Sequence, residues 1–267
     1  MKKLLSILLA LCMAAGSVAF ASNSSDDTST QQQADALNEL GLFLGTDNGY
    51  ELDAELNRAQ ALTLVVRLLG AEKEALSKNH THPFTDVPDW ASPYIGYAYT
   101  NGITNGMSAD TFGSLNAVSQ AQFLTFILRV LGYQDANDGT GDFVWSDPYV
   151  LTNDLGLTDG AASDSSFVRG NAVEIMWTAL TCPMKGQDST IADSLIEKGV
   201  FTEEAFEQAQ NTAAGNDTED KDNDKDPSFP SYPFYPDPTP DPDPDPTPDN
   251  GSGSGGDNEF GGIDGWD

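Results

Sequence analysis

The chain has 267 residues and carries 42 Asp and Glu against 12 Lys and Arg, a formal net charge of −30. So acidic a chain is repelled by nucleic-acid phosphates and by anionic membrane surfaces, which excludes both as partners. With only two histidines and two cysteines, Ser-His or Cys-His catalysis has little to draw on. The chain also has no glycine-rich phosphate loop, so a non-enzymatic role is expected.

The N-terminus pairs Met1-Lys2-Lys3 with a short apolar run, Leu4 to Ala15, and offers Ala19-Phe20-Ala21 as a cleavage site. Residues 1–21 thus predict a signal peptide, too short to span a membrane, with the exported chain starting at Ser22. Cys12 follows Leu11, where a lipoprotein would place a small residue. Once the leader is removed only Cys182 remains, so no intrachain disulfide can form. Beside Pro183 it reads as a small apolar side chain at a helix end. Residues 22–33, rich in Ser, Thr, Asp and Gln, predict a disordered spacer, with order beginning near Ala34.

Between 34 and 210 the chain repeats itself. LNRAQALTLVVRLLG, Leu56 to Gly70, aligns without a gap on VSQAQFLTFILRVLG, Val118 to Gly132, and FVRGNAVEIMWTALT, Phe167 to Thr181, is a third copy. Each is preceded by a helical pattern ending in a Gly-apolar pair: Gly41-Leu42, Gly102-Ile103 and Gly156-Leu157. Such units cannot bury their apolar faces alone and pack on one another. The pattern predicts an all-α fold of three helix–loop–helix units, at 34–79, 80–138 and 139–210, the last with extra C-terminal helices. In the most complete copy, Asp89 or Pro88 starts a helix whose Trp90, Tyr94, Ile95 and Ala98 share a face. Ser119 caps a second, where Phe123, Ile127, Val130 and Leu131 form a stripe ended by Gly132. Thr202-Glu203-Glu204 can cap a last short helix to about Gln210.

The ordered series Phe84-Thr85-Asp86-Val87-Pro88, Trp90-Ala91, Tyr94-Ile95, Ala98, Gly102-Ile103, Gly106, Phe112 and Leu128-Arg129-Val130-Leu131-Gly132 resembles the S-layer homology (SLH) domain of bacterial surface proteins. The resemblance implies a pseudo-threefold bundle with the second helices at its centre. It also implies non-covalent attachment to a Gram-positive-type cell wall through a secondary cell-wall polysaccharide, often pyruvylated. In that family a Thr-Arg-Ala-Glu motif opens the second helix and its arginine helps to hold the acidic sugar. A guanidinium fork suits a ketal carboxylate.

Here the motif reads Asn57-Arg58-Ala59-Gln60, then Ser119-Gln120-Ala121-Gln122, then Val168-Arg169-Gly170-Asn171. The resemblance therefore points to Arg58 and Arg169 as polysaccharide-binding residues, with Asp86, Trp90 and Gly106 as further groove positions. The plain alternative for the two arginines is an exposed first-turn ion pair, and for Trp90 a core position. Arg67 and Arg129, later in their helices, read as structural. The degraded motifs also admit a structural or protein-interaction module of the envelope, partnered by other envelope proteins. A hydrolase would need a catalytic domain for which the chain has no room.

No metal or cofactor is expected. His80 and His82 flank Thr81 without further ligands. Asp220 to Asp226 resembles a calcium loop but lacks its glycine and its closing glutamate, where Ser231 stands. Residues 211–267 predict a disordered acidic tail, whose Pro-Asp repeats favour extended polyproline II and whose end is rich in Gly and Ser.

Overall fold

The computed structural model describes residues 26–136, 140–160 and 166–216. The expected leader, most of the expected tail and the calcium-like run lie outside them. Among the described residues there are helices and isolated bridges but no strand, in line with the all-α expectation. The helices are α1 (Asp26–Glu39), α2 (Arg58–Leu68), α3 (Glu72–Ser77), α4 (Ser92–Thr100), α5 (Gln120–Val130), α6 (Tyr149–Asp154), α7 (Arg169–Thr181), α8 (Ile191–Glu197) and α9 (Glu203–Ala213). No described helix is long and apolar enough to cross a membrane.

The second helices start where local chemistry says they should. Asn57 accepts from the Gln60 amide at 2.9 Å while the Gln60 side chain accepts from the Asn57 amide at 3.0 Å. Ser119 and Gln122 form the same reciprocal box, both bonds at 3.3 Å. Such a cap contributes about 1 kcal/mol. At the third start, Val168 has no acceptor to offer, and only the return bond from the Val168 amide to Asn171 remains, at 3.2 Å. Thr202 caps α9 by accepting from the Ala205 amide, and that helix runs on to Ala213.

Packing follows the apolar stripes. α2, α5 and α7 pack against one another in pairs. Their inward side chains, among them Leu62, Val65, Phe123, Ile127, Val173 and Met176, are buried to the last per cent. α4 covers α2, and Ile95 and Ala98 are its fully buried positions. Burying a side chain of that size stabilises by about 1.5–3 kcal/mol, so the shared core is what holds the units together.

Two expectations need correction. The spacer expected over 22–33 is helical from Asp26 onward, and α1 packs on α7 and α9. Its polar composition hid this, because the helix docks through small and polar groups: Thr30 donates to Glu174, Ala34 and Leu37 are fully buried, and Glu39 accepts from Thr212. The helix expected from Asp89 or Pro88 starts instead at Ser92, with Pro93 in its first turn and no side-chain cap. Residues 89–91 form a turn before it.

Candidate functional site

Arg58 opens α2 and is the residue around which a site forms. It is 6% exposed, so the surface ion-pair alternative fails. Its Nε donates to the Phe112 carbonyl at 3.0 Å, and the guanidinium lies 5.0 Å from the Phe112 ring and 4.9 Å from that of Phe126. No carboxylate pairs with it among the described residues. Burial, and after it the positive charge of Arg129, push its pKa down to about 10. The protein thus keeps a cation where a cation is disfavoured, and an incoming anion would offset that cost by direct attraction.

The Arg58 guanidinium faces a cavity of about 430 Å³ that it shares with Gly106, Gln122, Arg129, Asp135 and Trp145. Arg129 is held by a two-pronged pair with Asp135, 2.7 Å from Nε and 2.9 Å from the terminal nitrogen, and donates to the Ile103 carbonyl at 3.0 Å. These bonds hold the Asp135 carboxyl below its usual value although burial pushes it up. Two guanidiniums and one carboxylate leave the cavity one net positive charge. Trp145 is 46% exposed. Its backbone is pinned to α5, because the Thr125 hydroxyl donates to the Trp145 carbonyl at 3.2 Å. The arrangement offers a charged fork for an acid and an aromatic face for the body of its bearer.

The five residues singled out in the sequence separate here. Gly106 lines the cavity at φ +78°, and a Cβ at that position would overlap the Phe84 ring, so glycine is required twice over. Asp86 does not line the cavity. Its carboxylate accepts from the amides of Phe112, Gly113 and Ser114 at 2.7, 2.6 and 3.3 Å. Burial raises its pKa, but these amides outweigh that, and the group ends below its ordinary value. Asp86 therefore acts as a positioning residue, fixing the loop whose Phe112 carbonyl anchors Arg58. Trp90 packs half-buried against the core, outside the cavity. Arg169 is 4% exposed and also lies outside it. Its Nε donates to the Tyr50 carbonyl at 2.8 Å, with the Phe43 ring 5.1 Å away.

Arg58 and Arg169 nevertheless share one docking pattern. The amides of Arg58 and Ala59 donate to the carbonyls of Asn116 and Ser114, at 2.9 and 3.1 Å. Those of Arg169 and Gly170 donate to Ala54 and Leu52, at 2.9 and 2.8 Å. In the repeat alignment Tyr50, Leu52 and Ala54 correspond to Phe112, Ser114 and Asn116. The start of one unit's second helix thus clips onto the same loop of another unit, twice.

Sequence reasoning missed Asp135 and Trp145 and gave Arg129 a structural part only. Arg129 carried a signal, its match to Arg67 in the repeat. Trp145 carried another, a bulky aromatic at the position where the preceding unit has Asp86. His82 bonds Ser92 through Nε2 at 3.1 Å and accepts the Phe84 amide, and the His80 ring sits edge-on to Tyr97. Among the described residues no three His, Cys, Asp or Glu side chains cluster as metal ligands would.

A family model described as the S-layer homology domain matches residues 83–124. Residues 83–124 therefore carry an S-layer homology domain, and the curated relatives the chain resembles are named as bacterial surface and wall proteins. It is 32% identical over 198 residues to a cell surface protein of Thermoanaerobacter kivui, covering 69% of this chain and 25% of that protein. It is 29% identical over 244 residues to the middle cell wall protein of Brevibacillus brevis, covering 82% of this chain and 22% of the relative. A surface layer protein of Brevibacillus choshinensis is 32% identical over 163 residues, 56% of this chain and 14% of its own. The chain thus spans a quarter or less of the length of these relatives.

Proposed function

We propose that this protein attaches non-covalently to the bacterial cell wall by holding an acidic secondary wall polysaccharide in the cavity around Arg58 and Arg129. The observation that carries this reading is the buried, uncompensated guanidinium of Arg58 opening on a cavity of one net positive charge. A single carboxylate, such as that of a pyruvate ketal on a sugar, matches both the charge and the fork. Trp145 offers its ring to the sugar's apolar face. The pairwise packing of α2, α5 and α7, with the repeated clip at Arg58 and Arg169, supports a pseudo-threefold arrangement of three repeats. In this reading the chain is exported to a Gram-positive-type wall, and its acidic tail projects as a spacer or partner-binding arm.

Wall sacculi with and without their polysaccharide test the proposal. The chain should be retained only by the intact sacculi, and Arg58→Ala should weaken retention about 100-fold, the scale for removing one partner of a buried charge pair. Equal retention by both kinds of sacculi would overturn the reading. A second reading has its own observation: both Nε groups bond backbone carbonyls of a neighbouring loop, as purely structural arginines would. Undiminished wall binding by a folded Arg58→Ala/Arg169→Ala variant would favour that module, which binds envelope proteins instead of sugar.

A further inference from the structure

The cavity of Arg58 has an apolar rim that its charge does not explain. Met107, 56% exposed, lines it together with Trp145. Val144, beside Trp145 in the chain, is exposed as well, and so is Leu115, whose neighbour Asn116 meets the Met107 sulfur at 3.4 Å. Exposed apolar side chains gathered around a charged hollow mark an interaction surface. A thioether and an indole are good partners for further aromatic rings.

The chain holds a segment of matching chemistry. Residues 217–267 carry 15 Asp and Glu against two Lys. Within them residues 227–236 bear no charge and hold Phe229, Tyr232, Phe234 and Tyr235 among four prolines. A plain acidic spacer has no need of four aromatic rings, because solvated segments are poor in them. Asp237 follows at once, set between Pro236 and Pro238. Proline restricts the backbone in advance, so laying such a run along an aromatic surface loses little chain entropy. In polyproline II, Asp237 stands about 6 Å beyond Tyr235. It lies 21 residues past Asn216, up to about 70 Å of extended chain, whereas a folded body of this size is about 40 Å across. A tether that can span the gap presents its segment at an effective concentration of about millimolar. General repulsion between an acidic arm and an acidic body is screened beyond about 10 Å.

We infer that residues 229–237 of the chain fold back onto this cavity, Asp237 on the fork of Arg58 and Arg129 and the aromatic rings over Met107 and Trp145. The protein then carries its own occupant, which any external acid must displace. The inference rests on the charge and rim of the cavity and holds whatever external ligand the cavity takes. Amide spectra of the full-length ¹⁵N-labelled chain, with no ligand added, test it against variants altered only beyond Asn216, which leave the bundle core untouched. Asp237→Asn should weaken the closed form about tenfold, the scale of one hydrogen bond to a charged group. It should move the resonances of residues 105–107, 125–126, 135–136 and 145, and not those of 50–54 at the matching clip of Arg169. Phe229→Ser/Tyr232→Ser/Phe234→Ser/Tyr235→Ser should move the same resonances in the same direction and further. Asp226→Asn, at the other end of the uncharged run, should leave them in place. A synthetic peptide of residues 228–240 added to the four-serine variant should restore the wild-type positions, and the same peptide with Asp237→Asn should need about tenfold more. No movement in the tail variants, or equal movement with Asp226→Asn, would overturn the inference. So would wild-type positions that drift on dilution, since the segment would then occupy the cavity of a second copy.

Discussion

Arg67 and Arg129 stand at the same turn of α2 and α5, and each holds a carboxylate a few residues downstream, yet one is sealed and the other open. At Arg67 the side chain is 1% exposed, and its partner Glu72 also accepts from the Tyr94 hydroxyl at 2.6 Å. α3 and α4 close over that pair. At Arg129 the partner Asp135 comes from a loop, and a cavity opens beside the pair. The repeated arginine is thus a structural fastening in both units, and only the second unit leaves it within reach of a ligand. What converts a fastening into a site is the covering element, not the motif.

The largest break in this comparison comes from Arg67→Ala. It strands Glu72 beside the Tyr94 phenol and should cost about 3–5 kcal/mol in urea unfolding, the scale for breaking a buried pair. Wall retention per folded molecule should be unchanged. Arg129→Ala should show the reverse balance, about tenfold weaker retention of acidic glycan with a loss of only about 1–3 kcal/mol, because its pair is less enclosed.

Asp135→Asn sharpens the contrast. It removes the one carboxylate from the cavity lining while sparing its shape, so affinity for an acidic glycan should rise a few-fold, as isothermal titration at low salt would register. The gain should fade as salt screens the cavity.

The smallest effect is in the acid limb. Asp86 has a folded pKa below its unfolded value of about 3.9. Its contribution is therefore complete above that value and is lost as pH falls through the folded pKa. Asp86→Asn should lower the melting temperature by a few degrees at pH 7, and the gap to wild type should close toward pH 2.

The parts legible in the sequence were those decided within a few residues. The caps at Ser119 and Thr202 need only a side chain and the amides of the next turn. The buried stripes follow from helical spacing alone. Arg58 was legible through the motif. The cavity was not, because Arg58, Arg129 and Trp145 come from three different units and meet only through tertiary packing. Asp86 shows the same limit: its three partners lie more than twenty residues away, so its position in the motif was visible and its task was not. α1 was missed for a different reason. A helix that docks through Thr30, Ala34 and Thr212 has little apolar periodicity to betray it.

That same α1 lies against α9, the last described helix. Glu39 accepts from Thr212, and the Phe206 ring reaches back to Trp177 at 6.3 Å. Tension applied to the chain beyond Asn216 therefore meets this contact before any other between helices. α9 would peel from α1, against which it packs most extensively, before α2 and α5, which frame the cavity of Arg58, are loaded. Under a pull the contact between α1 and α9 should therefore be the first helix contact to open.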